Sequence, residues 1–237
     1  MKIMNKLKEL QKELRVSAYP QKAKLLQRYF KTGKGEYGEG DIFLGITVPV
    51  SRQFARKYKD LKFPEITKLL KSKFHEERLI ALLVLVHNFN LKGEKNKKEI
   101  YEFYLNNTKH INNWDLVDLS AHEIIGQYLL DKNADILTKL ARSENIWERR
   151  IAVISTFEFI RNNRLNESLM LAKILLQDEH ELMHKAVGWM LREIGKKDLK
   201  TEIGFLDRHY RKMPRTMLRY AIERFPEKLR MSYLKGK

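Results

Sequence analysis

The sequence predicts an all-α protein built from stacked helical pairs, a HEAT-like or armadillo-type solenoid curving into a superhelix with a basic concave face. Three observations carry that expectation. Proline is absent from Glu65 through Met213, where Leu, Lys, Glu, Ile and Ala dominate and strict apolar–polar alternation is lacking. Small residues recur at Ala81, Ala121, Ala152, Ala186 and Ala221, spaced by 40, 31, 34 and 35 residues. Helical-pair repeats have periods near these values, and a small residue lets one helix of a pair approach its neighbour. Glycine is concentrated, with five of the eleven glycines between Gly33 and Gly45. The chain of 237 residues is 43% hydrophobic, enough to fill a core, and one domain over residues 1–237 is expected.

The N-terminal stretch, residues 2–34, reads as basic helix, with ten Lys or Arg against Glu9 and Glu13. Met1 to Lys6 lacks the apolar core of a signal peptide, and no run of apolar residues is long enough to span a bilayer. With no cysteine there is neither a disulfide framework nor thiolate chemistry, so a cytoplasmic protein is expected. The segment 33–41 is a glycine-rich loop or insertion. It is a poor phosphate-binding loop, because Gly33-Lys34 follows a helix and is followed by Gly35 instead of Ser or Thr. An ordered connector or a short hairpin is the better reading, with Lys34 and Tyr37 either touching a nucleic-acid groove or only shaping a turn.

Beyond the loop, Glu77-Arg78-Leu79-Ile80-Ala81 opens a repeat helix, and Glu148-Arg149-Arg150-Ile151-Ala152 echoes it. Asn112 or Asn113 can cap a helix starting at Trp114, with Asp115 in its first turn complementing the helix dipole. Asp118 falls four residues after Trp114, on the same side, bordering an apolar stripe of Val117, Ala121, Ile124, Ile125 and Tyr128. A carboxylate there needs a partner, such as an arginine of the next repeat, or a function. Trp147 begins a helix that is apolar nearly all round through Ile160 and is read as core. His180-Glu181-Leu182-Met183-His184 spells a zinc-hydrolase motif, but Gly188 comes one residue late for the longer pattern and Met190 stands at its third His position. No metal is expected. Trp189 lies off the stripe of Ala186, Val187, Met190, Leu191 and Ile194, among Lys185, Arg192 and Lys196. It is either a cation platform or nucleic-acid contact, or a rim residue packing on the next repeat.

Charge points to a partner. The chain carries a net +17, and the C-terminal residues 208–237 repeat the N-terminal imbalance with ten Lys or Arg against Glu223 and Glu227. The middle, 35–207, is nearly neutral, with 27 basic and 26 acidic residues. Clustered cations of this kind are the footprint of a nucleic-acid binder. A membrane surface would want bulky apolar anchors opposite the cations on an isolated helix. A protein-interaction solenoid with incidental charge is a third reading.

Four strings, taken in order, resemble the AlkD-like DNA alkylation repair family, a group of HEAT-like-repeat alkylpurine DNA glycosylases. They are Phe43-Leu44-Gly45-Ile46, Trp114-Asp115-Leu116-Val117-Asp118, Asn145-Ile146-Trp147-Glu148-Arg149-Arg150 and Lys185-Ala186-Val187-Gly188-Trp189-Met190-Leu191-Arg192-Glu193. The resemblance implies hydrolysis of the N-glycosidic bond of N3- and N7-alkylated purines in duplex DNA. It makes Asp118 the catalytic carboxylate, Trp114 and Trp189 the site indoles, Arg150 a contact to the DNA backbone, Tyr29 a site tyrosine and Thr47 a polar DNA contact. Arg52, Lys185 and Arg192 are expected at the same DNA surface. The implied protein is a monomer without a cofactor, associated with the nucleoid when bound. Two departures stand out: Asn113 replaces an aromatic of the family pattern, and the glycine-rich segment is longer. Relatives with an insertion there are thought to bind unusual DNA structures without excision, so a non-catalytic DNA binder is the alternative.

Overall fold

Two helices with almost no polar face organise the molecule: α5 (His75–Leu91) and α10 (Ile146–Arg161), each buried along most of its length. A helix apolar all round is stable in water only when others cover it on every side. The computed structural model describes residues 6–91 and 93–236 and is all-helical there, with no strand among the described residues. Met1–Asn5, on which the reading of the N-terminus rests, Lys92 and Lys237 lie outside them. The chain divides into two compact units, Met1–Ser120 and Ala121–Lys237.

In the first unit, α3 (Val48–Lys57), α4 (Phe63–Leu70) and α6 (Glu94–Asn106) pack on α5. α1 (Lys6–Val16) buries Leu7, Leu10 and Leu14, an i, i+3, i+7 stripe. It is tied to α5 by Arg15, whose guanidinium meets Glu77 at 2.5 Å and lies 3.8 Å from the Phe74 ring centre. α2 (Pro20–Tyr29) starts on a proline, whose fixed φ suits a first helical position. Leu25 and Tyr29 on it, and Tyr19 just before it, are exposed.

The glycine-rich segment is a connector, not a hairpin. It runs as successive turns, and Ile42 makes an isolated parallel bridge to Phe74. Gly45 then takes φ +85, and a Cβ there would strike the Tyr19 carbonyl, so only glycine fits. The buried Glu76 carboxylate holds this turn, accepting the amides of Leu44, Gly45 and Ile46 at 2.9, 2.8 and 3.2 Å.

The expected continuous helix after Asn113 is broken. α7 (Trp114–Asp118) ends in a turn at Leu119–Ser120. A π-helical stretch, His122–Gly126, follows in the second unit and runs into α8 (Gln127–Leu129). The expected stripe is buried nonetheless, from Val117 and Ala121 to Ile124 and Ile125, with Tyr128 half-buried. α10 is covered by that stretch, α9 (Asp135–Ala141), α11 (Asn166–Ile174) and α12 (Glu181–Lys197), and Trp147 is core at 8% exposure. α12 packs in turn on α13 (Leu199–His209) and α14 (Arg215–Ala221), and α15 (Glu227–Lys235) closes the chain. All five small repeat residues, Ala81, Ala121, Ala152, Ala186 and Ala221, are fully buried, as a helical repeat requires.

Candidate functional site

α7 has five residues, too few to persist alone, so its orientation comes from what grips it. Asn113 caps it, its side-chain oxygen accepting the Trp114 amide at 2.8 Å. Trp114 is half-buried, its indole stacked on Phe30 with centroids 5.0 Å apart and planes at 7°. Tyr29 meets the same indole edge-on at 6.0 Å. Asp118 is half-buried one turn further along α7. Its charge reaches the buried Tyr104 hydroxyl, which burial and that charge together hold well above the ordinary phenol value. Tyr104 is paired with Ser120 at 2.9 Å.

Beneath Trp114 lies a charge cluster that the sequence reading missed. His75 is sandwiched between two carboxylates, Asp41 on Nδ1 at 3.1 Å and Asp115 on Nε2 at 2.8 Å. Asp41 also accepts from Arg78 at 2.6 Å and from Asn113 at 3.1 Å. Burial opposes charge on the imidazole, but the Asp115 carboxylate and the hydrogen bonds to both acids outweigh it and raise the His75 pKa to about 9. Burial likewise works against the Asp41 carboxylate. The hydrogen bond from His75 and the Arg78 charge prevail, holding it below the usual carboxylate value. Asp115 therefore does more than complement a helix dipole, although its Oδ1 does accept the Leu116 amide at 2.8 Å. One signal was legible: His75-Glu76-Glu77-Arg78 is a run of four charged or titratable residues at the head of an apolar helix.

A cleft of about 270 Å³ opens beside the cluster, lined among others by Lys22, Phe30, Thr47, His75 and Asp115. Thr47 precedes α3, and Arg52 stands exposed on that helix. Tyr29, Trp114 and Asp118 are thus gathered in the first unit, with Thr47 on the adjoining cleft.

The other expected site residues lie in the second unit. Trp189 is half-buried on α12, 5.8 Å from Phe157, and its indole N–H donates to Glu193 at 3.1 Å. The same carboxylate takes Lys196 at 2.7 Å. Arg192 reaches Glu223, and Lys185 pairs with Glu181 at 2.8 Å. The cations flanking Trp189 are therefore engaged with acids, and Glu193 is the hub that sequence reasoning overlooked. Arg150 is 5% exposed and donates to the Leu182 carbonyl at 2.6 Å, so it braces α12 against α10. The zinc-like motif is spent on the backbone. His180 caps α12, accepting the Leu182 amide at 3.1 Å, and His184 bonds the Asp178 carbonyl at 2.5 Å. Among the described residues no group of three His, Cys, Asp or Glu side chains is arranged to hold a metal ion. None of the described helices is long and apolar enough to cross a membrane.

A family model described as DNA alkylation repair enzyme matches residues 10–225. The chain belongs to that family. Among solved structures it is similar to a protein from Enterococcus faecalis described as a predicted DNA alkylation repair enzyme, with a TM-score of 0.68 and 16% identity over 89% of this chain and 97% of that one. At that identity the likeness speaks to the fold, which this family member shares. No curated protein matches the chain.

Proposed function

We propose that the protein hydrolyses the N-glycosidic bond of N3- and N7-alkylated purines in duplex DNA, without a lyase step. Alkylation at N3 or N7 leaves the purine cationic and a good leaving group, so little acid assistance is needed at the base. Charge then develops on the sugar as an oxocarbenium ion, which one carboxylate can stabilise while orienting water. Asp118 is that carboxylate, and the electron-rich faces of Trp114 and Trp189 hold the cationic sugar or base. A lyase step would need a lysine poised as a nucleophile, and the sequence singles none out.

The observation that carries this reading is the pairing on α7 of a braced indole and a carboxylate one turn apart, in a chain of this repair family. Tyr29, Thr47 and Arg52 on the first unit, and Arg150, Lys185 and Arg192 on the second, are proposed to contact the same duplex. For Arg150, Lys185 and Arg192 this requires exchanging present partners, the Leu182 carbonyl, Glu181 and Glu223, for phosphate. The protein is proposed to act as a monomer, without cofactor or metal.

Release of 7-methylguanine from methylated duplex DNA tests the reading. Asp118→Asn should lower release by roughly 1,000-fold with duplex affinity retained, and Trp189→Ala should slow it less. Unchanged release by Asp118→Asn would sink the mechanism. A wild-type chain that binds branched DNA tightly and releases no base would instead be a non-excising DNA binder.

A further inference from the structure

The glycine-rich segment has no part in the chemistry above, yet it ends on Asp41, which is 5% exposed and faces His75, Arg78 and Asn113. We propose that Asp41 and His75 are positioning residues for the Trp114–Asp118 helix, and that the glycine-rich segment is the strut that carries Asp41 to it. The inference rests on the proposed roles of Trp114 and Asp118.

Two independent connections run from His75 to α7. One is polar: His75 meets Asp115 directly, and Asp41 links it to the capping Asn113. The other is a column of rings. His75 stacks on Phe43 at 4.4 Å, Phe43 lies 4.8 Å from Phe30, and Phe30 stacks on Trp114 at 5.0 Å. Moving the imidazole therefore moves both the cap of α7 and the platform under its indole. His75, Asp41, Asp115 and Asn113 are each no more than 6% exposed, and their polar side-chain atoms are spent on one another.

The strut approaches closely. A Cβ on Gly38 would lie 2.5 Å from the Phe30 carbonyl oxygen and 3.5 Å from the Asn113 amide nitrogen. Two carboxylates face one imidazolium and one guanidinium, so the cluster is electrically balanced. Buried ion clusters add little net stability over an apolar replacement; what they supply is a fixed geometry. That geometry here ends at the indole and the carboxylate proposed to do the chemistry.

Fluorine NMR of the full chain labelled with 5-fluorotryptophan tests this, because Trp114, Trp147 and Trp189 report separately, assigned by Trp114→Phe and its counterparts. In His75→Gln and in Asp41→Asn, the Trp114 resonance should shift and broaden while Trp147 and Trp189 keep theirs. In the unsubstituted chain, which needs no variant to fold, the Trp114 resonance should move as His75, facing Asp41, Asp115 and Arg78, loses its proton near pH 9. Single-turnover base release by the variants should fall about 10- to 100-fold at unchanged duplex affinity. A Trp114 resonance that stays fixed through the titration and in both variants overturns the proposal, as does displacement of all three tryptophans together. If the wild-type chain releases no base, the catalytic reading fails while the fluorine spectra still decide the positioning role.

Discussion

Glu76 shows how much one buried side chain can hold. Its carboxylate satisfies three consecutive backbone amides, those of Leu44, Gly45 and Ile46. Glu76→Ala would leave them unpaired in the interior, and a loss of about 3 kcal/mol or more is expected, read as a lower urea midpoint with unchanged slope. His75 makes the other residue-level prediction. Its folded pKa, about 9, stands above the ordinary 6.5, so its stabilising contribution is complete below pH 6.5 and is lost as pH rises through about 9. Asp41 has the opposite sign: held below 3.8, it stabilises above that value and the benefit is lost as pH falls through its lowered folded value. The difference in unfolding free energy between wild type and His75→Gln should therefore shrink between pH 6.5 and about 9. A difference constant across that range would show that the imidazolium contributes nothing.

Helices in this protein are specified by what they press against. Ala186 sits fully buried on α12, where α10, α13 and α14 all pack. Ala186→Leu should overpack these contacts and cost about 1–3 kcal/mol, measurable as a drop in Tm. Glu202 on α13 is 2% exposed, and burial pushes its pKa up to about 8, with the Arg192 charge opposing. Because that value lies above the ordinary 4.5, folding grows less favourable as pH climbs from 4.5 through 8. Glu202→Gln removes the titration and should stabilise the protein by about 1–3 kcal/mol at pH 8, with far less gain at pH 5. Equal gains at the two pH values would contradict the assignment. At this scale much was legible in advance. The burial of Ala81, Ala121, Ala152, Ala186 and Ala221 followed from their spacing, and Trp147 as core followed from the apolar helix it starts. The end of α7 at Asp118 was not legible, because Val117, Ala121 and Ile124 keep a helical spacing across a break.

The whole molecule is strongly basic, a net +17 concentrated toward the two ends of the chain. Duplex binding by phosphate neutralisation predicts a steep linear fall of log affinity with log salt. A titration from about 50 to 200 mM salt should weaken binding by orders of magnitude. A flat dependence would favour a protein-interaction scaffold whose charge is incidental.

The amino-acid sequence by itself determined the helical class, the repeat spacing, the surplus of cations and the candidate residues Trp114, Asp118 and Trp189. Each of these is written in local order: periodicity, composition and short strings. Only the tertiary structure decided that Asp41, His75, Asp115 and Arg78 form one buried cluster under Trp114, or that Arg192 meets Glu223. The physical reason is sequence separation. Asp41 and His75 are 34 positions apart and Asp41 and Asn113 are 72 apart, so no local pattern couples them. A buried acid or imidazole looks like a surface one until the fold supplies its partners.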